Sequence, residues 1–492
     1  MNRNPQEIIN KWNDFKENYA YVKNPFFILL FIYLLGISAI IRADFNYIDD
    51  MGRVAHGYKQ WDVCSRYISY YLSGFIHGDN YLTDVSPLPQ FLAVVLLVLS
   101  SVIVICLVSG KKEISLWQLI GIMPLGLSPY FLECISYKYD SVYMALSVFV
   151  AIIPLVFRNM KMWVYGVVSA LGIIAVCTTY QAATGIFPML VILLAVKDFR
   201  EGKKLWNILQ FLMLSVAGYG VGLIIFKLFI MVPVDTYVSN GTPDIGELFP
   251  TIIENFQTYF GHIRTDFKTE WLFLMVVIMA TYIWVMVRET KRNKILTLIV
   301  TISALVLMCL LIFGIYPVLS DPLFGPRAMY GVGVLLSFLA TTVTSADKIY
   351  LGKTVCFLLS WYFFVFAFTY GNALSVQSTY TDFRISQVLE DLNEMEIFVT
   401  DEKKTVQISG TIGYSPILKN MPQDYKMLNR LVPITFRGDW YWGTEGFLKY
   451  YGLKNCFRNS SIDLRTYDLP VVKDTMYHTV KAKDNYVLIE LK

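Results

Sequence analysis

The sequence predicts an all-α polytopic membrane bundle followed by a small C-terminal α/β domain. Of its 492 residues, 55% are hydrophobic and only 16% are charged, whereas a soluble domain carries roughly 25% charged residues. The mean hydropathy is +0.49, and long apolar stretches recur over the first three quarters of the chain. Composition and patterning together therefore place the chain among the integral membrane proteins.

The apolar stretches predict about eleven transmembrane helices. Several are shorter than the ~20 residues that a perpendicular helix needs, and such helices are tolerated where other helices surround them. The predicted spans are residues 25–43, 88–108, 115–133, 142–157, 162–178, 182–196, 205–232, 271–287, 295–315, 329–344 and 354–372.

The distribution of lysine and arginine predicts the orientation, because basic residues are enriched in the short cytoplasmic connections. One alternating set of connections is basic, and it holds Lys111, Lys112, Arg158, Lys161, residues 197–204, residues 288–294, Lys348 and Lys353. The other set is nearly bare of positive charge. We therefore expect the N-terminus inside and, with an odd number of spans, the C-terminus outside.

Three regions follow from this topology. Residues 1–24 are interpreted as a cytoplasmic amphipathic segment with Ile8, Ile9, Trp12 and Phe15 on one stripe, and residues 25–372 as the transmembrane region with an outer loop at 44–87. Residues 373–492 are predicted to form an extracytoplasmic α/β domain. Its expected elements are a helix around residues 385–392 and strands at residues 396–400, 405–409 and 486–491.

Composition also argues against several functional classes. A net charge of +4 is too small to indicate a nucleic-acid partner. The seven cysteines are scattered without a C-x-x-C pair, and the four histidines show no helical pairing, so no disulfide framework, metal site or cofactor is expected.

The first outer loop carries the densest group of candidate catalytic side chains. It contains Asp49, Asp50 and Arg53, and then an apolar stripe (Val63, Tyr67, Ile68, Tyr71, Leu72, Phe75 and Ile76) typical of a helix lying along the membrane surface. One aspartate can serve as a general base while the other holds an arginine or a hydroxyl. Helix capping combined with an interfacial ion pair explains the same residues without catalysis.

Further polar residues fall on the same predicted side of the membrane. Asp140 with Tyr139, and Tyr180 with Gln181, occupy outward turns, where an N-cap, an interfacial aromatic ring or a buried amide is the simpler explanation. Arg327 lies at an outer helix end, so it needs an anionic partner: a lipid phosphate, Asp321 or Asp49. Carboxylates and guanidiniums gathered at the headgroup level suit transfer of a group from a phospholipid-linked donor.

These residues resemble the phage-type O-antigen glucosyltransferase family, glucosyl transferase II. The resemblance covers about residues 40–335. It rests on Asp49–Arg53, Gly57-Tyr58, Trp61, Arg66, Asp84–Leu88, Tyr139–Ser141, Thr179–Ala182 and Gly325–Arg327 in this order.

The resemblance implies a bacterial glycosyltransferase of the GT-C class that is embedded in the inner membrane and needs no metal. It implies a polyprenyl-phosphate hexose, with glucose as the expected sugar, as donor, a surface glycan such as O-antigen as acceptor, and inversion at the sugar. Asp49 or Asp50 would then be the base, and Arg327, helped by Arg66, would bind the donor phosphate. Arg53, Tyr58, Trp61, Asp84, Tyr139, Asp140, Tyr180 and Gln181 are the expected supporting residues.

Alternative functions remain open at this stage. Another sugar or acceptor fits the same pattern, and a lipid-linked glycan flippase or a polysaccharide polymerase is the main rival from another class. A donor synthase and a flippase are expected as functional partners of a transferase. In the tail, aromatic residues could stack on sugar rings or form the domain core; they are Trp440, Tyr441, Trp442, Tyr450 and Tyr451.

Overall fold

A computed structural model gives the architecture of the chain. It describes residues 5–110, 113–232, 241–395, 397, 402–421, 425–453 and 455–492. Side chains are described from residue 20 onwards, apart from those of residues 441 and 442. The predicted amphipathic stripe at Ile8–Phe15, the basic pair Lys111 and Lys112, and most of the strand predicted at residues 396–400 lie outside these descriptions.

Helices dominate the described part of the chain, and one sheet lies near its C-terminal end. The helices are α1 (Pro5–Ala43), α2 (Asp49–His56), α3 (Tyr67–His77), α4 (Leu88–Ser109), α5 (Leu116–Ile122), α6 (Pro124–Leu127), α7 (Pro129–Ser136), α8 (Ser141–Ile152), α9 (Met162–Thr179), α10 (Ile186–Arg200), α11 (Leu205–Ile225), α12 (Ile245–Asp266), α13 (Thr269–Arg288), α14 (Lys294–Leu311), α15 (Gly331–Ser345), α16 (Tyr350–Glu394), α17 (Pro416–Asn420), α18 (Leu428–Leu431) and α19 (Tyr441–Tyr450). The strands are β1 (Lys404–Ser409), β2 (Cys456–Phe457), β3 (Val471–Asp474), β4 (His478–Lys483) and β5 (Tyr486–Leu491).

Eight helices among the described residues are long and apolar enough to cross a membrane, and a bent pair makes a possible ninth. The bent pair is Leu116–Leu127 with Pro129–Ser136, which meet at 56°. Two more apolar helices, Ser141–Phe157 and Gly331–Ser345, are shorter. Every predicted apolar stretch is thus helical. Of the described helices, eight or nine are long and apolar enough to cross a membrane, compared with about eleven predicted spans.

The short apolar helices lie inside the bundle. All eight residues of α7 are buried, as is nearly all of α15, whereas long helices such as α11 and α14 expose one apolar side. A helix surrounded by protein satisfies its backbone and covers its side chains without reaching both surfaces of the bilayer. Helix α1 packs against α16, α9 against α11, and α4 against α8.

The basic connections meet at one end of the bundle. Arg158 and Lys203 both pair with Asp198, and Arg200 pairs with Glu289. Three of the predicted cytoplasmic connections therefore share a surface. The cytoplasmic assignment itself stays a prediction.

The first loop and the C-terminal domain lie together on another surface. Lys449 of α19 contacts His56 of α2 at 2.6 Å, and Tyr47 Oη donates a 2.7 Å hydrogen bond to the carbonyl of Leu431. The tail is therefore on the same side of the bundle as the first loop, as the topology prediction requires.

The predicted surface helix is present as α3. Its polar residues Ser69, Ser73 and His77 face the protein, whereas the side chains of Tyr71 and Phe75 are 73% and 86% exposed. An apolar stripe that points away from the protein suits a helix lying in the lipid interface.

The last apolar helix continues directly into the C-terminal domain. Helix α16 continues without interruption across the predicted boundary at residues 372 and 373, and its side chains Ile385, Val388 and Leu392 enter the core of the tail. The sheet has the strand order β2-β1-β5-β4-β3, with β1 parallel to both β2 and β5. The strand predictions at residues 405–409 and 486–491 are confirmed.

The tail aromatics whose side chains are described do not form this core, and the side chains of Tyr441 and Trp442 lie outside the description. Tyr450 and Tyr451 are 50% and 36% exposed, and Trp440 is half-buried, so the buried aromatic rings come from Phe436 and Phe447 instead. The interpretation of the tail aromatics as core residues is therefore wrong for the two tyrosines.

Candidate active site

A cavity of about 590 Å³ lies where the first loop meets the bundle. The first loop, the turn before α8, the Tyr180–Thr184 segment, the end of α11 and the loop before α15 all line it. Nine predicted site residues line this cavity: Asp49, Arg53, Tyr58, Trp61, Arg66, Asp140, Tyr180, Gln181 and Arg327. The sequence motifs thus converge on one site although the chain places them up to 278 positions apart.

Asp49 and Asp50 occupy different environments. The side chain of Asp49 is 36% exposed and lines the cavity, whereas Asp50 is fully buried. Asp50 Oδ2 accepts hydrogen bonds from the backbone N–H groups of Tyr47 and Lys138, at 3.1 and 2.9 Å. Burial raises the pKa of Asp50 to about 8, so its carboxyl group is largely protonated at neutral pH.

The backbone conformation of Ile48 separates the two aspartates. Ile48 precedes α2 and has φ +42° and ψ −96°, which is costly for a β-branched residue. Asp49, the first residue after this turn, faces the cavity, and Asp50, the second, faces the protein interior.

Arg327 is held at the cavity wall by aromatic and acidic neighbours. Its guanidinium contacts the hydroxyl of Tyr137 and lies 5.2 Å from the centre of that ring, and Glu133 accepts a hydrogen bond from its backbone N–H. Arg327 Nη1 is 3.9 Å from Asp49 Oδ2. The Asp49 carboxylate and the Arg327 guanidinium are therefore neighbours at the open cavity, at a distance too long for a hydrogen bond.

Arg53 and Asp140 form a buried ion pair in the wall. Their side chains are each 6% exposed, and Trp61 Nε1 donates a hydrogen bond to Asp140 at 2.5 Å. The Arg53 guanidinium also lies 4.4 Å from the centre of the Trp61 ring. Asp140 occupies the N-cap position of α8 without a side-chain capping bond, so the capping explanation is wrong and ion pairing is its described role.

Arg66 is positioned by the Tyr180–Gln181 turn. Arg66 Nε donates a 3.1 Å hydrogen bond to Gln181 Oε1, and its guanidinium lies 4.7 Å from the centre of the Tyr180 ring. Gln181 also bonds to the carbonyl of Cys64 at 3.1 Å, which fixes the first loop to this turn.

Three predicted site residues lie away from the cavity: Asp50, Asp84 and Tyr139. Lys138 Nζ is 3.2 Å from Asp84 and 2.6 Å from Asp44. Burial alone would raise the pKa of Asp84, but hydrogen bonds from Ser86 and the Lys138 charge hold it below its usual value. Tyr139 is buried and stacks on His77 with ring centres 5.2 Å apart. All three residues brace the loop that carries Asp49.

One wall of the cavity is apolar apart from Lys227. Leu223, Phe226 and Met231 line it from the C-terminal end of α11 and beyond, and Ile315 and Leu323 also line the cavity. Ile224 near the end of α11 and Leu228 in the helical turn that follows it are 57% and 68% exposed. The cavity therefore joins a charged end to an apolar wall whose helix also presents apolar side chains outward.

Sequence reasoning missed two residues around Arg327 and one in the tail. Glu133 and Tyr137 hold Arg327, and Arg430 of the tail contacts both Asp266 and the carbonyl of Phe324. A signal existed for Glu133, because an acidic residue at the end of an apolar stretch needs a partner. No sequence pattern indicated Arg430.

Comparisons with known proteins bear on this site. A sequence model described as glucosyl transferase GtrII matches residues 38–338, which include every lining residue of the cavity. A Salmonella phage P22 protein, described as an uncharacterized 55.3 kDa protein in the gtrB 5′ region, is 24% identical over 409 residues, covering 80% of this chain and 84% of that protein. No solved structure matches the chain.

Proposed function

The chain belongs to the glucosyl transferase GtrII family, and on that premise we propose that it moves a hexose, glucose in the first instance, from a polyprenyl-phosphate donor to a surface polysaccharide such as O-antigen. Family membership makes the chain a membrane glycosyltransferase with a sugar donor and a glycan acceptor. The polyprenyl carrier, the GT-C class, the inverting mechanism and the outer face of the bacterial inner membrane are parts of the proposal.

The observation that carries the proposal is the pairing of Asp49 with Arg327 at the charged end of a cavity whose other wall is apolar. A polyprenyl phosphate carries a charged head on an apolar chain, and these two surfaces match its two parts. Guanidinium groups bind phosphate through parallel hydrogen bonds, so Arg327, with Arg66 on the same cavity, suits the donor phosphate.

The reaction follows as one displacement. Asp49 takes the proton of the acceptor hydroxyl while the acceptor oxygen forms a bond to the sugar C1. The bond between C1 and the phosphate oxygen breaks at the same time, and the phosphate leaves as an anion stabilised by Arg327. Attack opposite to the leaving group inverts the anomeric centre. No step in this scheme requires a metal.

Asp49 is the better of the two candidate bases. A base must be ionised and within reach of the acceptor, and Asp49 lines the cavity whereas Asp50 is buried with a raised pKa. Asp50 is then a positioning residue that ties the loop to the bundle.

A matched pair of variants tests the proposal. The purified protein is assayed for transfer from undecaprenyl-phosphate glucose to the host polysaccharide, with Asp49→Asn compared to Asp50→Asn. Loss of a general base costs about 10²–10⁴-fold in rate, so Asp49→Asn should be nearly inactive and Asp50→Asn should stay within a few-fold of the wild type.

Wild-type rates in both variants would remove the base from the first loop. An inactive Asp50→Asn beside an active Asp49→Asn would reverse the assignment. No transfer by the wild-type protein from a polyprenyl-phosphate hexose would reject the donor class. A donor synthase and a flippase, which would make this donor and bring it to the outer face, are the functional partners that the proposal requires.

A further inference from the structure

The C-terminal domain contains a second large cleft, outside the segment that matches the family. Its volume is about 640 Å³, within the ~300–1,000 Å³ typical of ligand sites. Gly410 and Thr411 follow β1, and residues 458–460 follow β2; both loops line the cleft. Because β1 and β2 are parallel, the cleft lies at the carboxyl ends of adjacent parallel strands, where open α/β sheets bind ligands.

The local backbone shapes this cleft. Gly410 has φ +75°, which lets the chain turn away directly after β1. The N–H of Gly438 donates a 2.9 Å hydrogen bond to the carbonyl of Gly410, so the Arg437–Asp439 segment is held beside that turn. The turn thereby leaves an open space between the two loops and this segment.

Eleven of the sixteen residues that line the cleft have hydrogen-bonding side chains. Three guanidiniums and two carboxylates stand among amides and hydroxyls, and the polar residues are Gln407, Ser409, Thr411, Arg437, Asp439, Thr444, Arg458, Asn459, Ser460, Asp463 and Arg465. Such a mixture of donors and acceptors suits a polyhydroxylated ligand, whose hydroxyl groups each donate and accept. Three positive groups against two negative ones also favour a ligand with acidic substituents over one with basic substituents.

The polar side chains are fixed by one another. Arg465 Nη2 is 2.7 Å from Asp463 Oδ2, and Gln407 Nε2 donates a 3.1 Å hydrogen bond to Asp463 Oδ1. On the other side, Arg437 Nε is 3.3 Å from Asp439 Oδ1, and Trp440 lies beside the same guanidinium. A preorganised set of this kind costs less conformational entropy on binding than free side chains do.

Helix α19 links this cleft to the catalytic loop. Thr444 of α19 lines the cleft, whereas Gly446 faces Met51 and Lys449 contacts His56. Met51 and His56 belong to α2, the helix that begins with Asp49. Helix α19 therefore lies between the cleft and the catalytic loop, and a polymer bound in the cleft would lie next to this helix.

We propose that the cleft binds an oligosaccharide segment of the acceptor polysaccharide, at a distance along the polymer from the sugar that receives the hexose. This proposal rests on the proposed function. The cleft would give the enzyme affinity for the polymer, while Asp49 acts on one hydroxyl group.

The test uses the full-length protein in lipid nanodiscs. The probe is lipid-free polysaccharide, released by mild acid from the surface glycan of the host strain. The double variant Arg458→Gln/Arg465→Gln removes two charges from the cleft, and Lys481→Gln/Lys483→Gln removes two from β4 as the matched control. We expect the cleft variant to bind the probe roughly tenfold more weakly and to raise the acceptor KM by the same factor, with kcat and donor KM unchanged.

Wild-type Kd and KM in the cleft variant would overturn the inference and leave the proposed transferase intact. An equal loss in the β4 control would also overturn it, because the effect would then be general to the charge of the domain. If the cleft variant fails to fold, Ser460→Trp, which places an indole in the cleft from an exposed position, carries the same expectation. Probe binding in the cleft without any hexose transfer would instead reject the proposed function alone.

Discussion

The backbone N–H of Lys138 donates a 2.9 Å hydrogen bond to Oδ2 of Asp50, joining the first loop to the turn before α8. The same oxygen accepts the N–H of Tyr47, so one buried carboxyl group ties the chain just before α2 to the turn before α8. In the proposed mechanism, Asp50 would affect the reaction through the placement of Asp49.

The first prediction concerns the pH dependence of stability. The pKa of Asp50 is raised from its ordinary value of about 4 to about 8, so between these values the folded chain binds more protons than the unfolded chain. The free energy of unfolding should therefore fall as the pH rises from about 4 to 8. Asp50→Asn lacks this titration, and its melting temperature in detergent should fall less steeply between pH 5 and pH 8. Parallel curves for the two proteins would contradict the raised pKa.

The second prediction concerns the donor phosphate. Arg327→Ala should raise the KM for the polyprenyl-phosphate donor by about tenfold or more, because a charge-assisted, bidentate contact is lost, while the acceptor KM changes less. Arg327→Lys keeps the charge without the planar guanidinium, so its donor KM should lie between those of the wild type and Arg327→Ala. Steady-state kinetics with each substrate varied in turn make the measurement, and Arg264→Ala, on the exposed side of α12, is the control. A larger effect on the acceptor would take Arg327 out of the phosphate site.

The third prediction concerns the buried pair of Arg53 and Asp140. Asp140→Asn leaves the Arg53 charge buried without its partner, which costs about 3–5 kcal/mol of stability. The double variant Arg53→Gln/Asp140→Asn should recover part of that loss. Thermal unfolding of the wild type, both single variants and the double variant closes the cycle. Strict additivity would mean that the pair is not coupled.

The fourth prediction concerns the contact from the tail to the loop before Arg327. Arg430 pairs with Asp266 and donates to the carbonyl of Phe324, three positions before Arg327. Arg430→Ala should lower the transfer rate about 10–100-fold through misplacement of that loop. Lys426→Ala, exposed on the same segment, should not. Partial activity in Arg430→Lys would support positioning, and full activity in Arg430→Ala would refute it.

Hydropathy was sufficient to find the helical bundle but not to count its crossings. Each apolar stretch is helical, yet α7 and α15 are surrounded by protein, where the bilayer no longer sets the helix length. The surface helix α3 was predictable because its apolar stripe has helical periodicity, and the structure places its serines against the protein.

The site was predictable in its membership and not in its geometry. The family resemblance assigned Asp49 and Arg327 to the same site although they are far apart in the sequence. The roles of Asp49 and Asp50 depend on the positive φ of Ile48, which sequence does not reveal for an isoleucine. Glu133 and Arg430 both contact backbone groups of the loop before α15. The position of Glu133 at the end of an apolar stretch indicated that it needs a partner but not which one, and no pattern indicated Arg430.

In the tail, two of the five described strands, β1 and β5, were predicted from the sequence, and the cleft was not. Alternating apolar residues marked β1 and β5, whereas the cleft depends on the pairing of β1 with β2, a strand of two residues. A strand that short carries no periodic signal.

The unbroken helix α16 sets the rotational register between the membrane region and the tail. One residue inserted near Gln377 would rotate the rest of the chain by ~100° about the helix axis and shift it by ~1.5 Å along that axis. Arg384 and the sheet would then leave the positions in which they pack. Chimeras that exchange tails between relatives should therefore be joined after Glu394, where α16 ends, and length changes inside the helix should be rare among functional members of the family.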